Sequence, residues 1–256
     1  MTFLQRCGCY ATLIGLAAAN GAYAQVSTIN SARIYPREYN DVPGSSLTVV
    51  SNYSTLIRFS DLGVSAPGGF ANRHVWRFSN DGGTTAYQFQ NNSFFQVSMT
   101  LTLTASSIAP RKEAGFLFDT IGGQGQFIVN TDGHEIVAFG GPLPFYAFPA
   151  TYDSGETITL GMRYFSNNGT NSIIYSANGV NSPVLPFTNL EQGIINGSTL
   201  GGYFQIVNAS GDLFNSGIAS FGNISIVPEP SMFALLSLGV LPLALLLRRR
   251  RANPTV

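Results

Sequence analysis

The carboxylates of this chain are the first candidates for chemistry, because two acids that face each other across a cleft can hydrolyse a glycosidic bond. A single β-strand can supply such acids from alternate residues, in the pattern Glu-x-Asp-x-Glu, and no such run occurs here. The acids in the middle of the chain stand apart, namely Glu113 before Ala-Gly, Asp119 alone, Asp132 in a turn sequence and Glu135 beside His134. They are expected to be solvated turn residues, and a pair assembled from distant strands remains an open alternative.

Histidines and metal ligands give no stronger signal. His74 and His134 are the only histidines, and neither lies at a spacing that builds a zinc site or a catalytic triad. Asp132, His134 and Glu135 could contribute to a calcium loop, but the EF-hand pattern is absent and a hairpin turn accounts for the same residues. We therefore expect no catalytic residue, no metal and no cofactor.

One segment gathers aromatic side chains among prolines: GGPLPFYAFPATYDSG, residues 140–155. A stiff backbone with exposed aromatic faces suits the stacking of sugar rings, which makes Tyr146, Phe148 and Tyr152 candidates for ligand binding. The alternative, which we favour, is a long loop that covers an open edge of the fold with its aromatic rings buried.

The elements that would position these residues are β-strands. In VSMTLTLT, residues 97–104, apolar residues alternate strictly with Ser and Thr, and ETITLGMRYF, residues 156–165, follows the same period of two. Trp76 in HVWRFS alternates with Phe78 and is expected in the core. Glycine- and asparagine-rich turn signals separate ten or more such runs, without a helical stripe or a linker. The pattern predicts an all-β fold, a single antiparallel β-sandwich.

The series EAGFLFD, GQFIVNTDGHEIVAF, GETITLGMRYF, IIYSANGV, GYFQIV and ASFGNISI also resembles concanavalin A-like jelly rolls. The resemblance implies a jelly-roll sandwich, a scaffold that often binds sugars or hydrolyses glycans. Residues 25–226, here called the body, hold eight Arg and Lys against twelve Asp and Glu. This mildly acidic balance argues against a nucleic-acid partner, since phosphate binding needs clustered positive charge.

Residues 1–24 are expected to be a cleaved secretory signal peptide. A short positive region precedes the apolar stretch CGCYATLIGLAAA, and Ala22 and Ala24 supply the small residues that signal peptidase requires. A buried N-terminal helix or a lipoprotein anchored through Cys9 fits this order less well. Cys7 and Cys9 are the only cysteines, so the mature chain would contain no disulfide and no thiolate ligand.

The C-terminal region has the order of a membrane anchor. Residues 231–247 carry no charge, and seventeen residues of helix span about 25 Å, near the lower limit for crossing a bilayer. Four arginines follow, Arg248, Arg249, Arg250 and Arg251, before a short tail of residues 252–256. The positive-inside rule places the arginines in the cytoplasm and the body outside.

Directly before the predicted span stands VPEP, in which Pro228, Glu229 and Pro230 form a stiff segment that is expected to lack helix or sheet pairing. Residues 227–251 resemble the PEP-CTERM sorting signal of Gram-negative bacteria. The resemblance implies that an exosortase, an integral-membrane transpeptidase, recognises the triplet and removes the tail. It also implies delivery to the cell surface or the extracellular matrix, after transient anchoring in the inner membrane.

These observations predict an exported surface or matrix protein whose body is not an enzyme, with extracellular polysaccharide as a candidate ligand. Its expected partners are signal peptidase, the export machinery and an exosortase. The alternative is a secreted glycan-modifying enzyme, a glycoside hydrolase or lyase, on a jelly-roll scaffold.

Overall fold

The computed structural model describes residues 29–91, 93–188, 191 and 193–228. These residues form fifteen β-strands and no helix. The strands are β1 (Ser31–Asn40), β2 (Ser46–Asn52), β3 (Leu56–Leu62), β4 (Ala71–Ser79), β5 (Phe95–Ala105), β6 (Lys112–Thr120), β7 (Gly123–Asn130), β8 (Ile136–Gly140), β9 (Tyr146–Ala147), β10 (Thr157–Asn167), β11 (Thr170–Ala177), β12 (Val180–Asn181), β13 (Leu185–Pro186), β14 (Thr199–Val207) and β15 (Gly217–Pro228).

The strands form two antiparallel sheets packed as a sandwich. The seven-stranded sheet has the order β1-β4-β14-β6-β7-β8-β9, and the other sheet has the order β12-β11-β10-β5-β15-β3-β2, with β13 beside β11. The late strands β14 and β15 each lie between two earlier strands, so both sheets are completed by chain-distant pairing. The prediction of an all-β sandwich is confirmed.

Strict alternation places the core between the sheets. Along β5 the apolar side chains from Phe95 to Leu103 are buried, and the intervening polar residues face outward. Trp76 is fully buried and packs edge-on against Phe78 and Phe221, which confirms its predicted core position. Each large apolar side chain buried in this way contributes about 1.5–3 kcal/mol to folding.

The last strand extends beyond the expected end of the body at residue 226. Val227 pairs with Gln96 and Pro228 pairs with Phe95, so the first proline of the triplet lies in the sheet and not in an unpaired segment. The ladder pairing of β15 with β3 ends at Gly222, and beyond the hydrogen bond from Ile224 N–H to the Ser54 carbonyl the final residues border β5 alone. Proline is tolerated there because an edge strand does not need every N–H donor.

The predicted terminal signals fall outside the described residues. This holds for the signal peptide (1–24), for Glu229 and Pro230, for the predicted span (231–247) and for the arginines that follow it. Within the part of the chain that the structure describes, no helix has the length and apolar character needed to cross a bilayer.

Candidate functional site

The outward face of the seven-stranded sheet carries two arginines on one strand. Arg73 and Arg77 alternate with Val75 on β4, because side chains of a strand point to the same face every second residue. On the neighbouring β14, Gln205 lies beside Arg73 and Gly201 lies beside Arg77. We call this surface, formed by the outward residues of β4, β14, β6 and β7, the arginine face.

A small apolar cluster forms the floor of this face. It consists of Val75, Leu117, Ile128, Val137 and Tyr203, which are all buried although they point away from the main core. A Cβ at Gly201 would come within 1.8 Å of the Trp76 carbonyl oxygen, so that position must stay without a side chain. The floor is therefore low beside Arg77.

Longer polar side chains lie across the floor. Arg73 contacts Glu38 at 3.1 Å and donates from Nη1 to Gln124 Oε1 at 3.0 Å. Gln124 is on β7, three strand spacings or about 14 Å from β4. It is also offset along the strands by about 20 Å, because Arg73 pairs with Gln205 whereas Gln124 is aligned, through Asp119, with Thr199. Two side chains can meet over that separation only if the sheet curves towards them, so the arginine face is hollow.

Arg77 is enclosed by partners that leave part of its guanidinium unused. Its Nε donates to Thr199 Oγ1 at 3.0 Å, and its Nη2 lies 3.4 Å from Asp119 and 3.7 Å from Glu38. Burial lowers the pKa of Arg77 while these two carboxylates raise it, and the group remains cationic because arginine does not deprotonate in proteins.

Two buried donors on this face have no acceptor. Arg73 Nε and Arg77 Nη1 make no hydrogen bond to any described residue. A buried donor without a partner costs about 1–3 kcal/mol. An incoming anion that accepts these hydrogen bonds would recover that free energy.

Tyr203 is the buried phenol of the floor. Its hydroxyl donates to Gln126 Oε1 at 3.1 Å, and Gln205 on the same strand donates to Glu113 at 3.2 Å. Burial raises the pKa of Tyr203 well above its usual value, and the charge of Glu113 adds to the rise. The phenol therefore stays protonated in neutral solution.

The acids considered for a calcium loop are paired with an arginine instead. Arg111 lies 2.6 Å from Glu113, 3.6 Å from Asp132 and 3.9 Å from Glu135. Among the described residues no group of three or more His, Cys, Asp or Glu is placed to hold a metal ion. These acids form an ion-pair cluster around one guanidinium.

His74 belongs to the core side of β4 and not to the arginine face. Its Nε2 lies 3.0 Å from Asp61, and its Nδ1 accepts a hydrogen bond from the backbone of Arg37 at 3.1 Å. Its ring lies between Phe59 and Phe204. This buried pair stabilises the fold and has no access to a ligand.

The aromatic segment follows the favoured alternative of the sequence analysis. Phe148 is buried and Tyr152 is 1% exposed, with its hydroxyl bonded to the backbone of Leu103 and Glu156. Tyr146 is half-buried and packs edge-on against Phe148. The three side chains proposed as a sugar platform are thus largely taken up by packing.

Sequence reasoning missed the two arginines. The run RHVWR, residues 73–77, held the signal, because a strand with Arg at its first and fifth positions presents both on one face. Their partners Glu38, Asp119 and Gln124 come from three other segments of the chain.

No protein-family model matches the sequence, and no curated protein does. Solved structures share the fold. The alginate lyase AlgAT5 of polysaccharide lyase family 7 gives a TM-score of 0.50 at 12% identity, over 71% of this chain and 82% of that one. The alginate lyase from Corynebacterium sp. gives 0.52 at 14% identity, over 71% and 81%. A truncated AlyQ with CBM32 and alginate lyase domains gives 0.50 at 15% identity, over 80% and 62%. The likeness concerns the fold alone, which resembles the jelly roll of these polysaccharide lyases.

These comparisons correct the expectation that the body is not an enzyme. That expectation rested on the absence of a paired-carboxylate strand, which addresses glycoside hydrolysis alone. The solved structures described above are alginate lyases. Elimination chemistry does not require two facing acids, so their absence does not separate a binding protein from an enzyme.

Proposed function

We propose that the body is an extracellular enzyme that cleaves an acidic polysaccharide on the arginine face. The observation that carries this proposal is the pair of buried donors, Arg73 Nε and Arg77 Nη1, that lack an acceptor among the described residues. A sugar carboxylate presents two planar oxygens that match a guanidinium. The alginate lyases that share the fold act on a polymer of such sugars, which supports the same substrate class here.

The proposed reaction is β-elimination. A base removes the proton on the carbon next to the carboxylate, the bond to the glycosidic oxygen breaks, and that oxygen takes up a proton. The shorter chain keeps a carbon–carbon double bond. The first step becomes accessible only when the charge that develops on the carboxylate is stabilised, and we assign that role to Arg73 and Arg77.

Two phenols in one row are assigned the proton transfers. Tyr35, Val75 and Tyr203 are in register across β1, β4 and β14. Tyr203 remains protonated because burial raises its pKa, so we assign to it the proton donated to the leaving oxygen. Tyr35 is half-buried and reaches solvent, so its own proton can pass to water. We assign to the resulting phenolate the removal of the proton from the sugar.

The test uses the purified full chain, in mild detergent, with three polymers: alginate, polygalacturonate and a neutral β-glucan. We expect ultraviolet absorbance from unsaturated uronate ends with at least one acidic polymer and none with the glucan. Failure to cleave or to bind either acidic polymer would overturn the proposal. Cleavage of the glucan to reducing ends without a double bond would assign a hydrolase instead.

We also propose that the chain is exported and that its C-terminal region is the sorting signal that the sequence resembles. Signal peptidase and an exosortase are the partners this proposal requires. An enzyme that cleaves an extracellular polymer has to leave the cytoplasm, which agrees with the order of the predicted signals. Cell-surface or matrix location follows from the same proposal.

A further inference from the structure

A shallow trough crosses the outward face of the other sheet, on the side of the sandwich opposite the arginine face. Its floor is one row of short side chains that are in register across five strands, namely Ser225, Ser98, Gly161, Ser176 and Asn181. The cavity over this row has a volume of about 270 Å³. Pockets for drug-sized ligands measure about 300–1,000 Å³, so the space suits one sugar residue of a chain.

Gly161 makes the trough. It faces outward yet is buried, because the side chains around it rise above its backbone. A Cβ at this position would come within 2.5 Å of Ser176 Oγ and 3.3 Å of the Val97 carbonyl oxygen. Because glycine has no side chain, the trough is deepest at this position, and the other residues of the row border it.

The next row forms one wall. Gln96, Arg163 and Ile174 are in register on β5, β10 and β11, and all three line the cavity. The guanidinium of Arg163 lies over the Phe165 ring at 4.7 Å from its centroid, which fixes its position. An amide, a cation and an apolar side chain thus meet along one side of a floor of hydroxyl groups.

The charge of this surface favours an anion. The five strands that form the trough, β15, β5, β10, β11 and β12, contain no Asp or Glu, and Arg163 is their one charged residue. A carboxylate placed here meets no like charge from these strands and is attracted by the positive charge of Arg163. The serine hydroxyls and the Gln96 and Asn181 amides supply donors and acceptors for sugar hydroxyls.

We propose that this trough is a second saccharide-binding site, which holds one acidic sugar residue of a polysaccharide with its carboxylate on Arg163. The apolar Ile174 side chain contacts the C–H face of the sugar ring. The site lies on a different sheet from the arginine face, so it would anchor a polymer chain without taking part in cleavage.

The test measures binding of a short uronate oligosaccharide to the full chain by titration calorimetry. Arg163→Ala should weaken binding at the trough by about tenfold or more, because it removes a charge-assisted contact. Arg58→Ala is the matched control, since Arg58 is an exposed arginine on the same sheet, outside the trough. It should leave binding unchanged.

Gln96→Glu keeps the shape of the wall and adds a negative charge. This variant should bind the acidic oligosaccharide more weakly and a neutral one as tightly as the native chain does. Thr104→Glu, on the same strand and face, should change the binding of neither. Equal binding by the native, Arg163→Ala and Gln96→Glu chains would overturn the proposal. A neutral oligosaccharide that binds as tightly as the uronate would overturn the acidic class.

The number of oligosaccharides bound distinguishes a failure of the trough proposal from a failure of the proposed function. If both exist, the native chain binds two oligosaccharides and Arg163→Ala binds one at the same concentration. If the arginine face binds nothing, the native chain binds one and Arg163→Ala binds none.

Discussion

The guanidinium of Arg73 on β4 donates from Nη1 to Oε1 of Gln124 on β7 at 3.0 Å, across the two strands that separate them. Glu38 binds the same guanidinium from the β1 side at 3.1 Å. The side chain thus bridges the hollow of the arginine face and lies above its apolar floor. A polysaccharide that reaches the floor must displace this bridge.

Gln124→Ala removes one end of the bridge and should admit the polymer more easily. We expect KM for the acidic polysaccharide to fall by about two- to tenfold, which corresponds to the net free energy of one hydrogen bond, with kcat unchanged. Steady-state kinetics measures both. Gln88→Ala, at an exposed loop position, is the control, and an unchanged or higher KM for the Gln124 variant would contradict the role of the bridge.

Arg77→Lys keeps the charge and loses the planar fork that binds two carboxylate oxygens. We expect kcat/KM on the acidic polymer to fall about 10- to 150-fold, the range for hydrogen bonds to charged groups. Arg58→Lys should have no effect. Circular dichroism and the melting temperature show whether the Arg77 variant is folded, and native activity in a folded Arg77→Lys chain would exclude this arginine from substrate binding.

The strands could be predicted from the sequence and the arginine face could not. The two-residue period of β5 is a local property that five consecutive apolar and polar pairs already display. Arg73 and Gln124, in contrast, are 51 residues apart in sequence, and they meet only because β14 enters between β4 and β6. No short-range pattern encodes that insertion, so the two arginines read only as outward residues of a strand.

The aromatic segment, residues 140–155, is a second feature whose role the sequence alone does not determine. Its composition fits both a sugar platform and a buried cover, because both use aromatic side chains on a stiff backbone. The choice depends on the hydrogen bonds of Tyr152 to Leu103, 49 residues away in the chain. Only the packed structure distinguishes the two.

Buried phenols predict a loss of stability in alkaline solution. Burial raises the pKa of Tyr53, Tyr152 and Tyr164 to about 12, whereas the unfolded chain ionises these groups near 10. Between these values the folded state binds more protons than the unfolded state, so the free energy of unfolding falls as pH rises. Urea unfolding at a series of pH values above about 9 should show this slope.

Tyr53→Phe tests the assignment, because it removes one of the ionisable groups and no hydrogen bond is described for its hydroxyl. The alkaline slope of this variant should be shallower than that of the native chain. The same slope in both chains would mean that Tyr53 does not contribute.

Two His–Asp pairs of similar length should differ sharply in what they contribute to stability. His74 and Asp61 are 3.0 Å apart with both side chains fully buried, and His134 and Asp153 are 2.8 Å apart with the Asp153 side chain 68% exposed. Asp61→Ala should destabilise the fold by about 3–5 kcal/mol, because it leaves buried donors unpaired. Asp153→Ala should cost less than about 1 kcal/mol. Similar values for the two variants in urea unfolding would contradict this difference.

Lowering the pH should destabilise the fold by protonating the buried carboxylate of Asp61. Burial alone would raise the pKa of Asp61, but hydrogen bonds from His74, Ser45 and Asn72 bring it below its usual value. Its contribution is therefore present above the pKa of an unfolded Asp, near 3.9, and is lost as pH falls through the lower folded value. The native chain should lose stability in that window, and Asp61→Asn should show a weaker dependence on pH there.

The position of Pro228 makes a prediction for the proposed sorting signal. Pro228 is the last residue of β15 and pairs with Phe95, so a membrane enzyme that binds the triplet in extended form has to detach the end of this strand. Past Ile224, whose N–H bonds to the Ser54 carbonyl, the strand borders β5 alone, which makes the detachment local. A Gly-Ser spacer inserted between Val227 and Pro228 should therefore speed removal of the tail, because the intact triplet then becomes accessible without strand opening.

Immunoblotting of membrane and extracellular fractions, with mass spectrometry of the mature C-terminus, measures this processing. Deletion of the exosortase or Glu229→Ala should leave the full-length chain in the membrane, whereas Glu156→Ala, at an exposed acid of the body, should be processed normally. A spacer that leaves the rate unchanged would mean that β15 is already open when the enzyme binds. An extracellular form that retains residues 229–256 would contradict the sorting proposal itself, because the anchor would then never have been removed.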